Sequence, residues 1–275
     1  MDIQNFIKTT DQHYIDFNDG IYRVHTATFQ NELNHFMDRF IEIQSAEKSY
    51  QLPFHLYEQF PNIEIKELAP EIFTRKQDLL FFQNKFAKYL SINKTALEIG
   101  GWNGWLTSYL SSQGLQVVTT DIFGDERNGL KSRKHHQFPK WLSVQTDISK
   151  TDIYTSKFDV IIFNHCLQFY TNPVKLVEQY KALLNKGGIM LILGNTFFKN
   201  YGTKENTVTQ TRNYFKEKYQ FDIQFYPSKG FFNYEDFDAF IKNSFKFISY
   251  KFSILGRLNK ILKKEKSGIL YYIHS

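Results

Sequence analysis

Apolar side chains recur at every third or fourth position over residues 29–44, where Phe29, Leu33, Phe36, Phe40 and Ile43 mark one face of a helix. The same spacing over 71–90, carried by Ile72, Leu79, Phe82, Phe86 and Leu90, predicts a second helix. Between them, "LPFHLYEQFPNIEI" holds two prolines and reads as an extended connection. From residue 95 the rhythm changes. Short apolar runs at 95–99, 116–120, 142–146, 158–163 and 188–193 alternate with helical segments at 104–113, 127–135 and 173–184. Such runs suit strands buried on both faces, and the alternation predicts a parallel sheet covered by helices. The runs 246–252 and 268–274 predict a further, antiparallel edge pair, preceded by a helix over 234–243. Residues 195–232, in part helical, are too long for an ordinary connection and read as an insertion that forms a lid or binding element.

The expected fold is therefore α/β: a doubly wound, Rossmann-like sheet of seven strands, mostly parallel with an antiparallel C-terminal edge. Residues 1–91 form an N-terminal helical extension or lid, and 92–275 the α/β domain, with the insertion at about 195–232.

Composition changes this picture little. Hydrophobic residues make up 42% and charged residues 23%, which is the balance of a globular chain. A net charge of +6 permits contact with RNA or an anionic membrane surface without requiring either, and neither is favoured. The single cysteine, Cys166, excludes an internal disulfide and a cysteine metal cluster, so no metal is expected. The N-terminus, "MDIQNFIKTTDQ", lacks the basic and apolar regions of a signal peptide. The most apolar run, "GGIMLILGNTFF", is too short for a membrane-spanning helix. A cytoplasmic location is the expectation.

The chemistry starts at "TALEIGGWNGWLTSYLSSQGLQVVTTDI", a strand, a glycine turn, a helix and a second strand ending in an acid. The first strand-to-helix turn of such a sheet is where a ligand meets the backbone. A dinucleotide turn spaces its glycines G-x-G-x-x-G. Counted from Gly100, the third and sixth places hold Trp102 and Trp105, so that pattern fails twice. The Gly-Lys-Ser/Thr ending of a Walker loop is absent too. What is present is an acid before the turn, Glu98, flexible positions at Gly100, Gly101 and Gly104, and Asp121 about twenty residues on. A carboxylate there can accept from ribose hydroxyls. The pattern suits a cofactor with an ammonium group and a ribose diol but no pyrophosphate. With Gly101 supplying flexibility beside it, Trp102 is expected to point away from the ligand.

In these residues the chain resembles the class I S-adenosylmethionine-dependent methyltransferases, in particular a bacterial small-molecule group, the methyltransferase type 11-like proteins. "LEIGGWNGWL" is similar to that group's turn, L-D-x-G-x-G-N-G-W-L, with Trp102 the departure. The resemblance continues through "TTDIFGDERNGL", the "TDI" at 146–148, "FDVIIFNHCLQFY", "LLNKGGIMLIL" and "KYQFDIQFYPSKGFFNYEDF", covering roughly residues 95–275. It implies S-adenosyl-L-methionine as cofactor. Glu98, Gly100 and Gly104 would surround its methionine part, with Gly101 beside them. Asp121, followed by Ile122, would take the ribose, Asp147 and Ile148 the adenine, and Asn164 the methyl-transfer end.

Methyl transfer is an in-line displacement, and a base is needed only when the acceptor must lose a proton. His165, after the fourth strand, is the candidate base, because the histidine of many relatives is Gln168 here. Gln168 and Tyr170 are candidates to line the acceptor site. From the N-terminal "HYIDFNDGIYRVHT" come His13, Tyr14, Tyr22 and Arg23. Cys166 lacks the preceding proline of a cytosine C5-methylating nucleophile and reads as a small buried filler. Two basic clusters, 127–140 and 251–266, read as solvated faces; either could meet phosphate. The second, with Ile254, Leu255, Leu258, Ile261 and Leu262, is an amphipathic basic helix, able to meet lipid headgroups or to pack its apolar side on the sheet. The reading is methyl transfer to a small or medium-sized acceptor. An RNA methyltransferase and a non-catalytic interaction module are the alternatives.

Overall fold

The apolar runs become the strands of one sheet. The structure, a computed structural model, describes residues 1–8, 14–49, 51–137 and 139–275, with the backbone alone for Tyr14, Ile15, Asp16 and Asn18. In chain order the elements are β1 (Tyr14–Asn18), β2 (Ile21–His25), α1 (Ala27–Ala46), α2 (Ala69–Asn84), β3 (Thr95–Ile99), α3 (Trp105–Ser112), β4 (Gln116–Asp121) and β5 (Leu142–Thr146). There follow β6 (Phe158–Asn164), α4 (Pro173–Lys181), β7 (Leu184–Phe198), α5 (Gly202–Tyr219), β8 (Phe232–Asn233), α6 (Tyr234–Lys242), β9 (Lys246–Ser249), α7 (Ile254–Leu262) and β10 (Glu265–Ile273).

The spatial order is β1-β2-β5-β4-β3-β6-β7-β10-β9, with β8 on the end of β7. Pairing is parallel from β2 through β7 and antiparallel at β7–β10 and β10–β9, as the sequence leads one to expect. Alternate side chains of β3 enter two cores. Leu97 and Ile99 pack with α1, α4 and α6, while Ala96 packs with α2 and α3. Full burial of such side chains contributes about 1.5–3 kcal/mol each.

Three expectations need correcting. Among the described residues the sheet has ten strands rather than seven: β8 is one addition, and the other two come from the N-terminal segment, which is not only helical. Its β1–β2 hairpin extends the sheet beside β5, turning at Asp19 and Gly20, both at positive φ, as a tight hairpin turn requires. Residues 127–135 contain a 3₁₀ helix, Leu130–His135, in place of an α-helix. There the Arg133 guanidinium reaches out to the carbonyls of Gly20 and Pro139, which ties the segment to its neighbours. The second helix stops at Asn84, with a separate 3₁₀ turn at Ala87–Tyr89. Among the described residues no helix is long and apolar enough to cross a membrane.

Candidate functional site

The central strands end together on one edge of the sheet, the edge where open α/β sheets take their ligands. Gly100 follows β3, Asp121 closes β4 and Asn164 closes β6, and all three line a cavity of about 680 Å³. Helix α1 adds Phe36 and Phe40, α2 adds Arg75, and the stretch after β7 adds Lys204, Arg212, Phe225 and Tyr226. The stretch after β7, whose helix is α5, thus forms part of the cavity wall.

Gly100 sits at φ +84, and a Cβ there would lie 2.9 Å from the Asn164 carbonyl and from Cys166. The backbone comes to the cavity only because no side chain intervenes. Asp121 binds the turn from below, Oδ2 accepting from the Trp102 N–H at 3.1 Å and Oδ1 from the Phe123 N–H at 3.0 Å. Burial nevertheless pushes its carboxyl up to about 6. Glu98 does not line the cavity. It is fully buried beneath it, accepting from the Thr107 hydroxyl and, at 2.7 Å, from the Asn164 amide. That bond turns the amide nitrogen of Asn164 inward, and Asn164 Oδ1 has no hydrogen-bond partner although it is buried.

Burial also pushes Glu98 up to about 7, against the hydrogen bonds from Thr107 and Asn164. Between pH 4.5, where the unfolded carboxyl ionises, and pH 7, where the folded one does, the folded state holds more protons than the unfolded. Stability attributable to Glu98 is therefore expected to fall as the pH rises across that window. Melting temperatures of wild type and Glu98→Gln should converge towards pH 4.5, and the wild type should lose ground towards pH 7. A difference that stays flat with pH would show that Glu98 is ionised throughout.

His165 also enters the cavity wall, at φ +56, and its partner lies outside the α/β stretch. Its Nε2 is 2.7 Å from Asp78 Oδ2 on α2, and Asp78 Oδ1 accepts from the Tyr250 hydroxyl at 2.7 Å. A carboxylate only accepts, so Nε2 carries the proton and Nδ1 keeps its lone pair. Nδ1 has no hydrogen bond among the described residues. Burial, and then the charge of Arg75, hold the imidazole below its usual 6.5, with Asp78 pulling the other way. The ring lies flat on Gly194, where a Cβ would meet Nδ1 first and then Cε1 and Cγ.

The other expected residues divide. Ile122, Gln168 and Tyr170 line the cavity, and Gln168 donates to the His165 carbonyl. Gly101 packs against Thr119 and Gly104 against His136, so neither reaches the cavity. Asp147 and Ile148 are not in its wall. The Tyr226 hydroxyl donates to Asp147 at 2.8 Å, and Ile148 is fully buried. Arg23 and the backbone of Tyr14 belong to the edge hairpin and lie outside the wall, since the hairpin extends the sheet instead of closing over it. Tyr22, on the same hairpin, packs against Phe17; His13 lies outside the described residues. Trp102 does not point away. It forms part of the wall, its Nε1 donating to Asn128 and its ring between Phe60 and Arg75. Cys166 Sγ donates to the Ile99 carbonyl, and burial pushes the thiol well up, away from a nucleophile's thiolate.

Sequence reasoning missed Asp78 and Arg75. The signal was there: both fall on the stripe of α2 that buries Ile72 and Phe82, where polar residues are out of place. Among the described residues no group of three or more His, Cys, Asp or Glu is placed to hold a metal.

Residues 67–217, more than half of the chain, match a family described as a methyltransferase domain. Two solved structures share the fold, both of phosphoethanolamine N-methyltransferase 2 of Haemonchus contortus. The one in complex with S-adenosyl-L-methionine is 16% identical, with 73% of this chain and 52% of that one covered and a TM-score of 0.50. The one with phosphomonomethylethanolamine and S-adenosylhomocysteine is 14% identical, covering 82% and 61%, with a TM-score of 0.51. A non-reducing polyketide synthase (adrD) of Penicillium rubens is 26% identical over 155 residues, or 49% of this chain. The chain spans 6% of the synthase's length and little more than half of the nematode protein.

Proposed function

This chain belongs to the methyltransferase-domain family, and from that premise we propose that it uses S-adenosylmethionine to methylate a small anionic molecule, with His165 as the base. The observation that supports this most is the shared cavity. The Gly100 backbone, Asp121 and the unpartnered Asn164 oxygen stand in the same wall as a histidine with a bare ring nitrogen.

The residues present fit the cofactor. Gly100 leaves room for the methionine chain, Asn164 Oδ1 can accept from its ammonium, and each Asp121 oxygen keeps a lone pair for a ribose hydroxyl. When bound, the cofactor supplies an electrophilic methyl on a cationic sulfur. The protein's own work is alignment and proton removal. Nδ1 of His165 takes the acceptor's proton while Asp78 holds the imidazole in the tautomer that leaves Nδ1 bare. The apolar walls, Phe36, Phe40, Tyr170 and Phe225, keep water from the transfer.

The acceptor's class follows from the cations in the wall. Arg75 stacks on Trp102 at 4.9 Å, and its Nε is buried with no hydrogen-bond partner. Lys204 faces the cavity with no ion pair among the described residues. A carboxylate or phosphate on the acceptor would satisfy both. A panel of small carboxylates and phosphates with their neutral analogues, incubated with the chain and S-adenosylmethionine, tests this by a mass gain of one methyl. Arg75→Met is expected to raise KM for an anionic acceptor about tenfold or more while leaving cofactor affinity unchanged. Preference for the neutral analogues would overturn the anionic reading and leave methyl transfer standing.

The RNA reading loses the support of one of its two basic clusters. In the 127–140 cluster, Lys131 pairs with Asp19 at 2.8 Å, Lys134 with Glu126 at 2.7 Å, and Arg133 with two carbonyls. These cations serve the fold.

A further inference from the structure

An amphipathic helix on a soluble surface ordinarily turns its apolar side to the core. Helix α7 does the reverse. Its Lys260 turns to the sheet, pairing with Glu265 of β10 at 2.6 Å, while Arg257 Nε donates to the Phe252 carbonyl just ahead of the helix at 3.1 Å. A cleft of about 370 Å³, lined among others by Arg257, Lys260, Glu265 and Ser267 and by Ile261 from the apolar side, lies between helix and sheet. The apolar side faces out: Ile254, Leu255, Leu258, Ile261 and Leu262 are 77%, 78%, 52%, 70% and 80% exposed. At spacing i, i+1, i+4, i+7 and i+8 they form one stripe, on a helix that Ser253 caps at its start.

Around this stripe the charge is positive. Residues 251–266 hold six Lys or Arg against Glu265, and Lys251, Lys263 and Lys264 have no ion pair among the described residues. We propose that α7 is a membrane-docking element that lays this stripe into the surface of an anionic bilayer, the flanking lysines meeting the lipid phosphates. A short apolar face gives shallow, reversible attachment, and the lysines add attraction that falls off with salt. A protein partner would need acidic groups framing an apolar groove. A bilayer of anionic lipid offers both layers at once, charge outside and hydrocarbon beneath.

Sedimentation of the full chain with phosphatidylcholine vesicles and with mixed phosphatidylcholine–phosphatidylserine vesicles tests this. Binding is expected to be about tenfold or more stronger to the anionic vesicles and to weaken as salt is raised. Leu258→Glu with Ile261→Glu should remove it, and Lys263→Glu with Lys264→Glu should weaken it severalfold. All four positions lie outside the cavity, so the variants should melt and methylate as the wild type does. Equal binding to neutral vesicles, or variants that still bind fully, would overturn the proposal. So would a dimer that the Leu258 and Ile261 changes dissociate without any vesicle binding, since a second copy then covers the stripe.

Discussion

Asp78→Asn is expected to lower kcat by about 100-fold or more while leaving cofactor affinity near the wild-type value. The carboxylate receives the His165 Nε2–H and the Tyr250 hydroxyl, one on each oxygen. An amide in its place offers one acceptor and one donor, so either His165 is driven to the wrong tautomer or the tyrosine loses its acceptor. Asp78→Ala leaves both His165 and Tyr250 without their acceptor inside a fully buried pocket and should also destabilise the fold by roughly 3–5 kcal/mol. The asparagine variant is the cleaner probe of chemistry for that reason. The pH profile separates a base from a merely structural histidine. Since burial and Arg75 hold the imidazole below 6.5, the wild-type rate should be level at neutral pH and fall as the pH drops through the histidine's pKa. Asp78 favours the charged imidazole, so its loss should move that acid limb to lower pH. Full activity in Asp78→Asn with an unmoved limb would exclude His165 as the base.

Asp121→Ala should weaken S-adenosylhomocysteine binding about 100-fold or more, the second large effect expected. Two contributions add. The carboxylate's acceptor sites for the ribose disappear, and the backbone N–H groups of Trp102 and Phe123 lose the partner that shapes the turn, at about 1–3 kcal/mol for each group left unsatisfied. Calorimetric titration alongside thermal melting distinguishes them. A variant that melts like the wild type but fails to bind would assign the loss to the ligand contact. Because burial holds Asp121 near 6, wild-type affinity should also rise as the pH climbs from 5 through 7 and the carboxylate ionises. Unchanged binding in Asp121→Ala would remove the cofactor site from this edge of the sheet.

The strands were legible because each is a short apolar run: 95–99 and 142–146 were read to the residue. The hairpin at the other edge carries its own signal, Asp-Gly between "YIDFN" and "IYRVH", but the aromatic and charged residues of the two runs blur the apolar alternation that marks a strand. Asp78 stands out as a polar residue on the buried stripe of α2, but its partner cannot be read from the chain. Periodicity says that α2 has a buried stripe, not that this stripe crosses above His165 some 87 positions later. The same limit applied to α7, whose two faces were plain while the choice of which one meets the sheet was not, since that depends on Glu265 waiting there. Asp147 and Ile148 are separated from the cavity by Tyr226, whose position depends on how the insertion folds back.

Gly194 and His165 are far apart in the chain, yet they occupy one volume, the imidazole resting where any side chain at 194 would have to go. A change at one is therefore felt at the other. A chain that keeps the histidine has no freedom at 194, and one that gives it up for something smaller gains space there, though the backbone at φ +72 still favours glycine. A library randomised at both positions and selected only for folding should therefore return glycine with histidine, and with small residues at 165 should admit beside glycine chiefly asparagine or aspartate at 194, the side chains that tolerate its φ of +72.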